Sequence, residues 1–597
     1  MNTTLYTLFT PPEGCFGDFG LFSGFTATPA VLREIRCSFT GDMSRPVLAA
    51  FIHPTVNPVS DVPQLAWMWM KPDKRGYNLL HAKVALLGFR KRDEKGYVIR
   101  LAVTTGNWTQ DPLTNSIDLF WSIDVDVSNP KPQDIADIRA AWAMFDWLRE
   151  RADCSLIERE YDGYLPDFRL RAAIVDLPAS GERSRFIDSR TKALFPQVVE
   201  RLAARWRATS LVLGSGYFDA KIKSDGGLID RLWQRLVSER SLKEDAVGAV
   251  FLNPRSCQGL AGVATELKEA GWELRRPSSL LHGPDAQLHA KFAMIACGGD
   301  EKITSGRIYL GSGNLTRNGF EKAANEGGNL EAGVVIDLPA GLSWSNPKGI
   351  AEFLPIDGWK EAEPTDLATG EEFTHPEAPA STPPVSWLFW QDGKLSAPND
   401  TKVKVIGKNG DPVETPCEWP EPAPTFVTLA EAGWQLPVIA DGVLVTQRPR
   451  DLTVEDVLAG LLSFPEPSES DYPDDGPEGS QASFEGTIAP ATQYARYPIR
   501  RMMQLIVGLG DSQVNIDALD WPRWCRELQQ KLCAITKQEG PIIEFFREAK
   551  ANPLPVLADP RMLPDGADVK PLNDTLDVIA KEWGLNDCPS LWDEEEV

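Results

Sequence analysis

The sequence predicts an α/β protein with two related lobes, followed by a small β-rich module and a helical C-terminal region. Three observations carry this expectation. A segment near residue 80 is repeated near residue 288 with the same downstream pattern. Up to about residue 350, short apolar β-branched runs alternate with helical periodicity, the signature of mixed α/β structure. Beyond that point the composition changes twice, at acidic stretches rich in proline, glycine or serine.

In chain order, the first lobe is expected over residues 1–185, with strands at Pro46 to Phe51, Leu80 to Gly88, Val98 to Thr104 and Ile117 to Val125. Apolar residues recur at three and four over Pro132 to Arg151, which predicts a helix. The second lobe, 186–355, has its own strand series: Leu211 to Gly214, Val247 to Leu252, Leu288 to Ala296, Arg307 to Gly311 and Ala332 to Leu338. Helices are expected at Phe195 to Arg207, Gly227 to Glu239 and Leu260 to Ala270. An acidic Pro-rich linker (356–384) leads to a β-rich module (385–462), read from Trp387-Leu388-Phe389-Trp390, Val403-Lys404-Val405-Ile406 and the turn Asn409-Gly410-Asp411-Pro412. A second acidic linker (463–490) precedes a helical domain (491–597), where Trp521, Trp524, Leu528 and Leu532 share one face and Ile542, Phe545 and Phe546 belong to a further helix. Removing everything beyond about residue 350 is expected to leave a folded two-lobed core.

At 597 residues the chain exceeds what one hydrophobic core supports. No apolar run is long enough to span a bilayer, so no membrane partner is expected. The first residues, Met1-Asn2-Thr3-Thr4-Leu5-Tyr6, lack a basic and then apolar leader, and the nine cysteines are scattered without a CxxC pair. Both features lead us to expect a cytoplasmic protein without a disulfide framework or a structural zinc. The net charge of −24 disfavours a polyanionic substrate at first sight. Yet Lys71 to Arg100 holds nine basic residues against Asp73, Asp93 and Glu94, and a local patch acts within a screening length of about 10 Å.

The repeat carries the chemistry. Leu80-His81-Ala82-Lys83-Val84-Ala85 answers to Leu288-His289-Ala290-Lys291-Phe292-Ala293, and Thr104-Thr105-Gly106-Asn107 to Gly311-Ser312-Gly313-Asn314. His to Asn is 26 positions in the first copy and 25 in the second. A strand ending in proline precedes each copy (Phe51-Ile52-His53-Pro54 and Phe251-Leu252-Asn253-Pro254), and an acid follows, Asp118 or Glu331. Residues i and i+2 of a strand share a face, so each His projects with its Lys. Of the five histidines, two hold matched positions; His53, His282 and His375 stand isolated and read as surface or packing residues.

Doubled HxK with an Asn-containing turn resembles the phospholipase D superfamily over about residues 40 to 340. The resemblance implies two phospholipase D-like lobes packed about a pseudo-twofold axis and forming one active site. Many members carry an Asp five residues after the Lys; Gly88 and Ala296 stand there, which is similar to the tyrosyl-DNA phosphodiesterase branch. It implies a metal-independent phosphodiesterase working through a phosphohistidine, with His81 as nucleophile and His289 as general acid and base. Glu331 would orient His81, and Asp118 would orient His289. Lys83, Lys291, Asn107 and Asn314 would hold the phosphate oxygens, with Ser312 adding a hydroxyl contact. No cofactor and no metal are expected.

The leading substrate class is nucleic acid, DNA or RNA, held by Lys74, Arg75, Arg90 and Arg92 of the basic stretch. Trp67, Trp69, Tyr77 and Trp108 could stack on bases or serve as core. A phospholipid or other small phosphodiester is the second reading. From another class comes a scaffold subunit whose C-terminal region binds a protein partner such as a helicase. A place in bacterial antiviral defence or repair is compatible with either.

Overall fold

The computed structural model describes residues 5–39, 45–54, 64–91, 96–109, 116–161, 163–222, 227–277, 287–298, 302–342, 360–370, 382–431 and 433–445, positions 62 and 112, and 506–590 in part. The first sheet is built from β1 (Cys15–Gly24), β2 (Leu48–Ile52), β3 (Leu65–Trp67), β4 (Val84–Lys91), β5 (Tyr97–Thr104) and β6 (Phe120–Asp126). Their spatial order is β3-β2-β1-β4-β5-β6, parallel from β3 to β1 and antiparallel from β1 to β6. The second sheet contains β7 (Phe186–Asp188), β8 (Ala208–Gly214), β9 (Leu242–Phe251), β10 (Trp272–Arg276), β11 (Phe292–Gly298), β12 (Ile303–Gly311), β13 (Ala332–Leu338) and β14 (Lys360–Glu361). Within it, β10-β9-β8-β11-β12-β13 repeats the order and strand senses of the first sheet, with β7 and β14 added at the edges.

Both faces of the central strands are buried, which explains their near-continuous apolar sequence. Val84 and Leu86 of β4 face one core with Phe292 and Met294 of β11, so the two sheets share a single interior. Ala85, Leu87 and Phe89 point the other way, beneath the helix Pro29–Phe39. Ala293 and Ile295 face a third cluster capped by the helices Leu194–Leu202 and Gly227–Ser238.

The central strand β1, which carries Gly17, Gly20 and Gly24, lies outside the strands expected from sequence. A Cβ on Gly20 would lie 2.5 Å from Leu87 Cδ2 and 3.0 Å from Leu48 Cδ2, so the glycine admits both neighbouring strands. The helix expected from Phe195 to Arg207 stops at Leu202, and Leu260 to Ala270 divides into a 3-10 turn, Gln258–Val263, and a short helix, Ala264–Glu269. The HxK triplets are not strand residues: β4 begins at Val84 and β11 at Phe292, so each triplet is an extended entry segment.

The described part of the Pro-rich stretch is a strap on the second sheet. Lys360–Glu361 pairs with β10, and Ala368 exchanges backbone hydrogen bonds with Pro254 and Cys257. The β-rich module is tied to the first sheet. Leu388, Leu395 and Leu436 enter the cluster that holds Leu32 and Leu87, and Trp434 meets Trp69 edge-on at 5.7 Å. Arg159 Cζ stacks 4.6 Å from the Trp387 ring, and Ser386 donates to Asp153 at 2.6 Å.

Residues Met1–Thr446 form one compact unit and Gln447–Val597 another. In the second unit, Trp521, Trp524, Leu528 and Leu532 are buried together with Trp583 of the helix Lys570–Trp583. Ile543 and Phe546 of the helix Pro541–Ala549 join them; the side chains of Ile542 and Phe545 and the linker 463–490 lie outside the described residues. Among the described residues, no helix is long and apolar enough to cross a membrane.

Candidate active site

Each half of the N-terminal unit supplies one HxK segment, and each segment is fixed by the other half. The N–H groups of His81 and Ala82 both donate to the carbonyl of Leu330, at 2.9 and 2.8 Å. Reciprocally, His289 and Ala290 donate to Ile117 O, at 3.0 and 2.8 Å. Leu330 and Ile117 are the residues just before Glu331 and Asp118. The crossed backbone bonds therefore deliver each acid to the opposite histidine: His81 Nδ1 lies 2.8 Å from Glu331 Oε2, and His289 Nδ1 lies 2.9 Å from Asp118 Oδ1. With Nδ1–H committed to a carboxylate, Nε2 of each ring is the nitrogen left for chemistry.

The acids are themselves held. Ser312 Oγ donates to Glu331 Oε2, and Asn329 Nδ2 donates to Oε1 at 3.0 Å. Asn78 supports Asn329 in turn at 3.0 Å, so a chain of side chains reaches His81 from the loop that precedes it. On the other side, Thr105 and Ser116 donate to the two oxygens of Asp118, at 2.7 and 2.6 Å. The glycine before each Asn has a steric reason: a Cβ on Gly106 would lie 3.0 Å from Asp118 Cγ, and one on Gly313 would lie 2.6 Å from Leu194 Cδ1.

Lys83 and Lys291 are both fully buried. Each ammonium folds back on its own motif, Lys83 donating to His81 O at 2.9 Å and Lys291 to His289 O. Lys291 Nζ also comes within 3.5 Å of Thr105 O, which places it beside the turn of the other half. Burial and the charge of Lys291 hold Lys83 well below the usual lysine range, and burial brings Lys291 to about 8 despite Asp118 and Glu331. Burial, opposed by Glu331 and aided by Lys83, pulls His81 down to about 4; burial and Lys291 lower His289. Burial opposes ionisation of Asp118, yet His289, Lys291 and Ser116 hold its carboxyl far below the usual range.

Two buried acceptors are unsatisfied here, Oδ1 of Asn107 and Oδ1 of Asn314. Neither oxygen is bonded by a protein group. A half-turn of either carboxamide presents Nδ2 as a donor to an anion instead. Among the described residues, no group of three His, Cys, Asp or Glu side chains has a metal-ligating arrangement.

No protein-family model and no curated protein matches the sequence. Among solved structures, the chain is similar to the yeast tyrosyl-DNA phosphodiesterase at 12% identity, covering 56% of this chain and 85% of that one with a TM-score of 0.35. Mutant forms of the same yeast protein align alike, one at 11% identity, 56% and 86% coverage and TM-score 0.36, another at 12%, 55% and 84% and 0.34. At such scores the superposition does not define a shared fold, and the chemistry has to be derived from the site's own geometry.

Other expected contacts fall elsewhere. The Ser312 hydroxyl donates to Glu331 and accepts from Ala332 N–H at 3.0 Å. Arg90 is near the far end of β4, seven residues and roughly 20 Å from Lys83, where it lies 3.5 Å from Asp18. Arg100 and Lys91 are likewise paired, with Asp124 and Asp126, so these three basic residues lie along a hairpin away from the HxK segment. Lys74 is exposed and Arg75 half-buried in the turn leading to His81, while Arg92 lies outside the described residues. Trp67, Trp69, Tyr77 and Trp108 are all buried, so they are core and not base-stacking platforms. His282 and His375 lie outside the described residues; His53, far from isolated, accepts from Leu80 N–H at 3.1 Å.

Proposed function

We propose that the chain is a phosphodiesterase that cleaves nucleic acid through a covalent phosphohistidine on His81. The observation that carries this reading is the crossed pair of imidazole–carboxylate contacts, each from one half, around two buried lysines. A nucleophilic imidazole must be neutral at Nε2, and the burial of His81 favours that form. His81 Nε2 attacks phosphorus; the leaving oxygen takes a proton from Nε2 of His289. The N–P bond leaves a cationic ring whose Nδ1–H faces Glu331, so charge builds beside a counter-charge already in place. His289, now neutral, removes a proton from water, which attacks phosphorus and releases His81 and a phosphomonoester.

Lys83, Lys291, Asn107 and Asn314 would neutralise the non-bridging oxygens, the work often given to a divalent cation. A phosphodiester arriving between the lysines offsets their charge, which raises the proton affinity of His289 and readies it as the acid. Nucleic acid as the substrate class rests on the motif resemblance to the tyrosyl-DNA phosphodiesterase branch. The test is purified protein in excess EDTA with labelled single-stranded DNA, duplex DNA, RNA and phosphatidylcholine. Cleavage of a nucleic acid that persists in EDTA and is lost in both His81→Ala and His289→Ala supports the reading. Cleavage of the lipid alone would move the substrate class, and strict dependence on added magnesium would overturn the mechanism.

A further inference from the structure

Two side chains outside the HxK motifs make equivalent contacts in the two halves. In the first, His53 Nδ1 accepts the N–H of Leu80, the residue before His81, at 3.1 Å. In the second, Asn253 Oδ1 accepts the N–H of Leu288, the residue before His289, at 2.7 Å, and Asn253 Nδ2 donates back to Leu288 O at 2.9 Å. Both follow the second strand of their sheet, in Phe51-Ile52-His53-Pro54 and Phe251-Leu252-Asn253-Pro254. The Nδ1 of histidine and the Oδ1 of asparagine sit at the same bonded distance from the backbone, so either residue can offer an acceptor at that point. His53 does more than its counterpart. The Phe25 ring stacks on it at 5.3 Å and 28°, and the same Phe25 ring lies 5.6 Å from His81. His53 is 1% exposed, and its own N–H donates to Gly24 O at 3.1 Å, one residue before Phe25.

We propose that His53 is a positioning residue for His81: it fixes the Leu80 backbone and backs the Phe25 ring, so that the His81 ring keeps its hydrogen bond to Glu331. Asn253 does the backbone part of this for His289. The proposal rests on the phosphodiesterase reading for its kinetic consequence and not for its structural one. It requires His53 neutral with its proton on Nε2, because a proton on Nδ1 would face the Leu80 donor. Its sequence signal is the matched position of His53 and Asn253 in the repeat.

The experiment uses the full chain labelled with 15N-histidine, which is tractable because there are only five histidines. The His81 Nδ1–H resonance, assigned by its loss in His81→Ala, reports the contact with Glu331 without any turnover. In His53→Leu this resonance should broaden into solvent exchange, and kcat for a nitrophenyl phosphodiester should fall about 10- to 100-fold, the range for supporting partners of a site histidine. KM should stay within about twofold. His53→Asn, which copies the other half, should keep both the resonance and the turnover. If the leucine variant does not fold, His53→Gln replaces it, since its acceptor sits one methylene too far and should give the same losses. A sharp resonance and full kcat in His53→Leu or His53→Gln overturn the proposal, as does His53→Asn losing both. Should the wild type cleave no phosphodiester, the functional reading falls, and the resonance alone decides on His53.

Discussion

At the scale of single residues, burial favours the neutral form of both site histidines, with consequences in pH. His81 titrates near 4 in the folded protein, against about 6.5 in an unfolded chain, so the unfolded state binds the extra proton first. The stability this neutral histidine confers is complete above about pH 6.5 and is lost as pH falls towards 4, on the order of 3 kcal/mol in all. Chemical denaturation of the wild type and His81→Asn between pH 4 and 7 should show a smaller acid loss in the variant. The same shifts shape the rate: kcat/KM should fall on the acid side near 4, as the nucleophile protonates, and on the alkaline side as His289, lowered by burial and Lys291, loses the proton it must donate. The division of labour is testable by trapping. With a nitrophenolate leaving group that needs no proton, His289→Asn should accumulate a phosphohistidine at His81, found by acid quench and peptide mass. His81→Asn should give none. An adduct confined to His289 would exchange the two roles.

At the scale of elements, the site depends on segments that carry no chemistry. Trp108 follows Asn107 directly, is fully buried, and donates from Nε1 to Ser23 O at 2.8 Å. Phe9 and Phe22 meet it edge-on, at 5.5 and 5.6 Å. Replacing it by alanine leaves a large cavity behind the Asn107 turn and should cost about 3–5 kcal/mol in urea unfolding, with turnover reduced at temperatures where the fold survives. A loss under 1 kcal/mol would mean that the turn is held by its backbone bonds alone. The HxK segments show why strand reasoning placed them one element too late. Alternation of His81 and Lys83 matches a strand, but the N–H groups of His81 and Ala82 go to Leu330 of the other half, a pairing no local pattern encodes.

At the scale of the molecule, the β-rich module and the strap 360–370 complete the N-terminal unit. Ending the chain near residue 350 would strip β14 from the second sheet and uncover Trp69, Leu32 and their neighbours on the first. Such a fragment should be poorly soluble or melt well below the full chain, whereas one ending at Thr446 should fold and keep the site. Circular dichroism melts of the two fragments decide this; equal stability would mean that the module is dispensable. Whatever the acidic net charge, the site itself holds two buried lysines beside two carboxylates.

The sequence by itself marked the matched groups: which histidines, lysines and asparagines correspond, and that Glu331 and Asp118 follow them, because duplication prints the same spacing twice. It also held the periodicity of β4, β5, β11 and β13, whose both-sided burial demands unbroken apolar runs. Only the tertiary structure decided that glycine-rich β1 is the centre of a sheet, since close strand approach there needs side chains that are absent. It alone disclosed that Ser312, Asn329 and Asn78 stand behind Glu331, and that His53 accepts the backbone N–H of Leu80, next to His81. It also set Arg90 and Arg100 apart from the site, because a strand carries residues roughly 20 Å over seven positions and offers each charge a different partner. Spacing along a chain records which groups react; their support comes from segments far away in sequence, and packing alone brings those together.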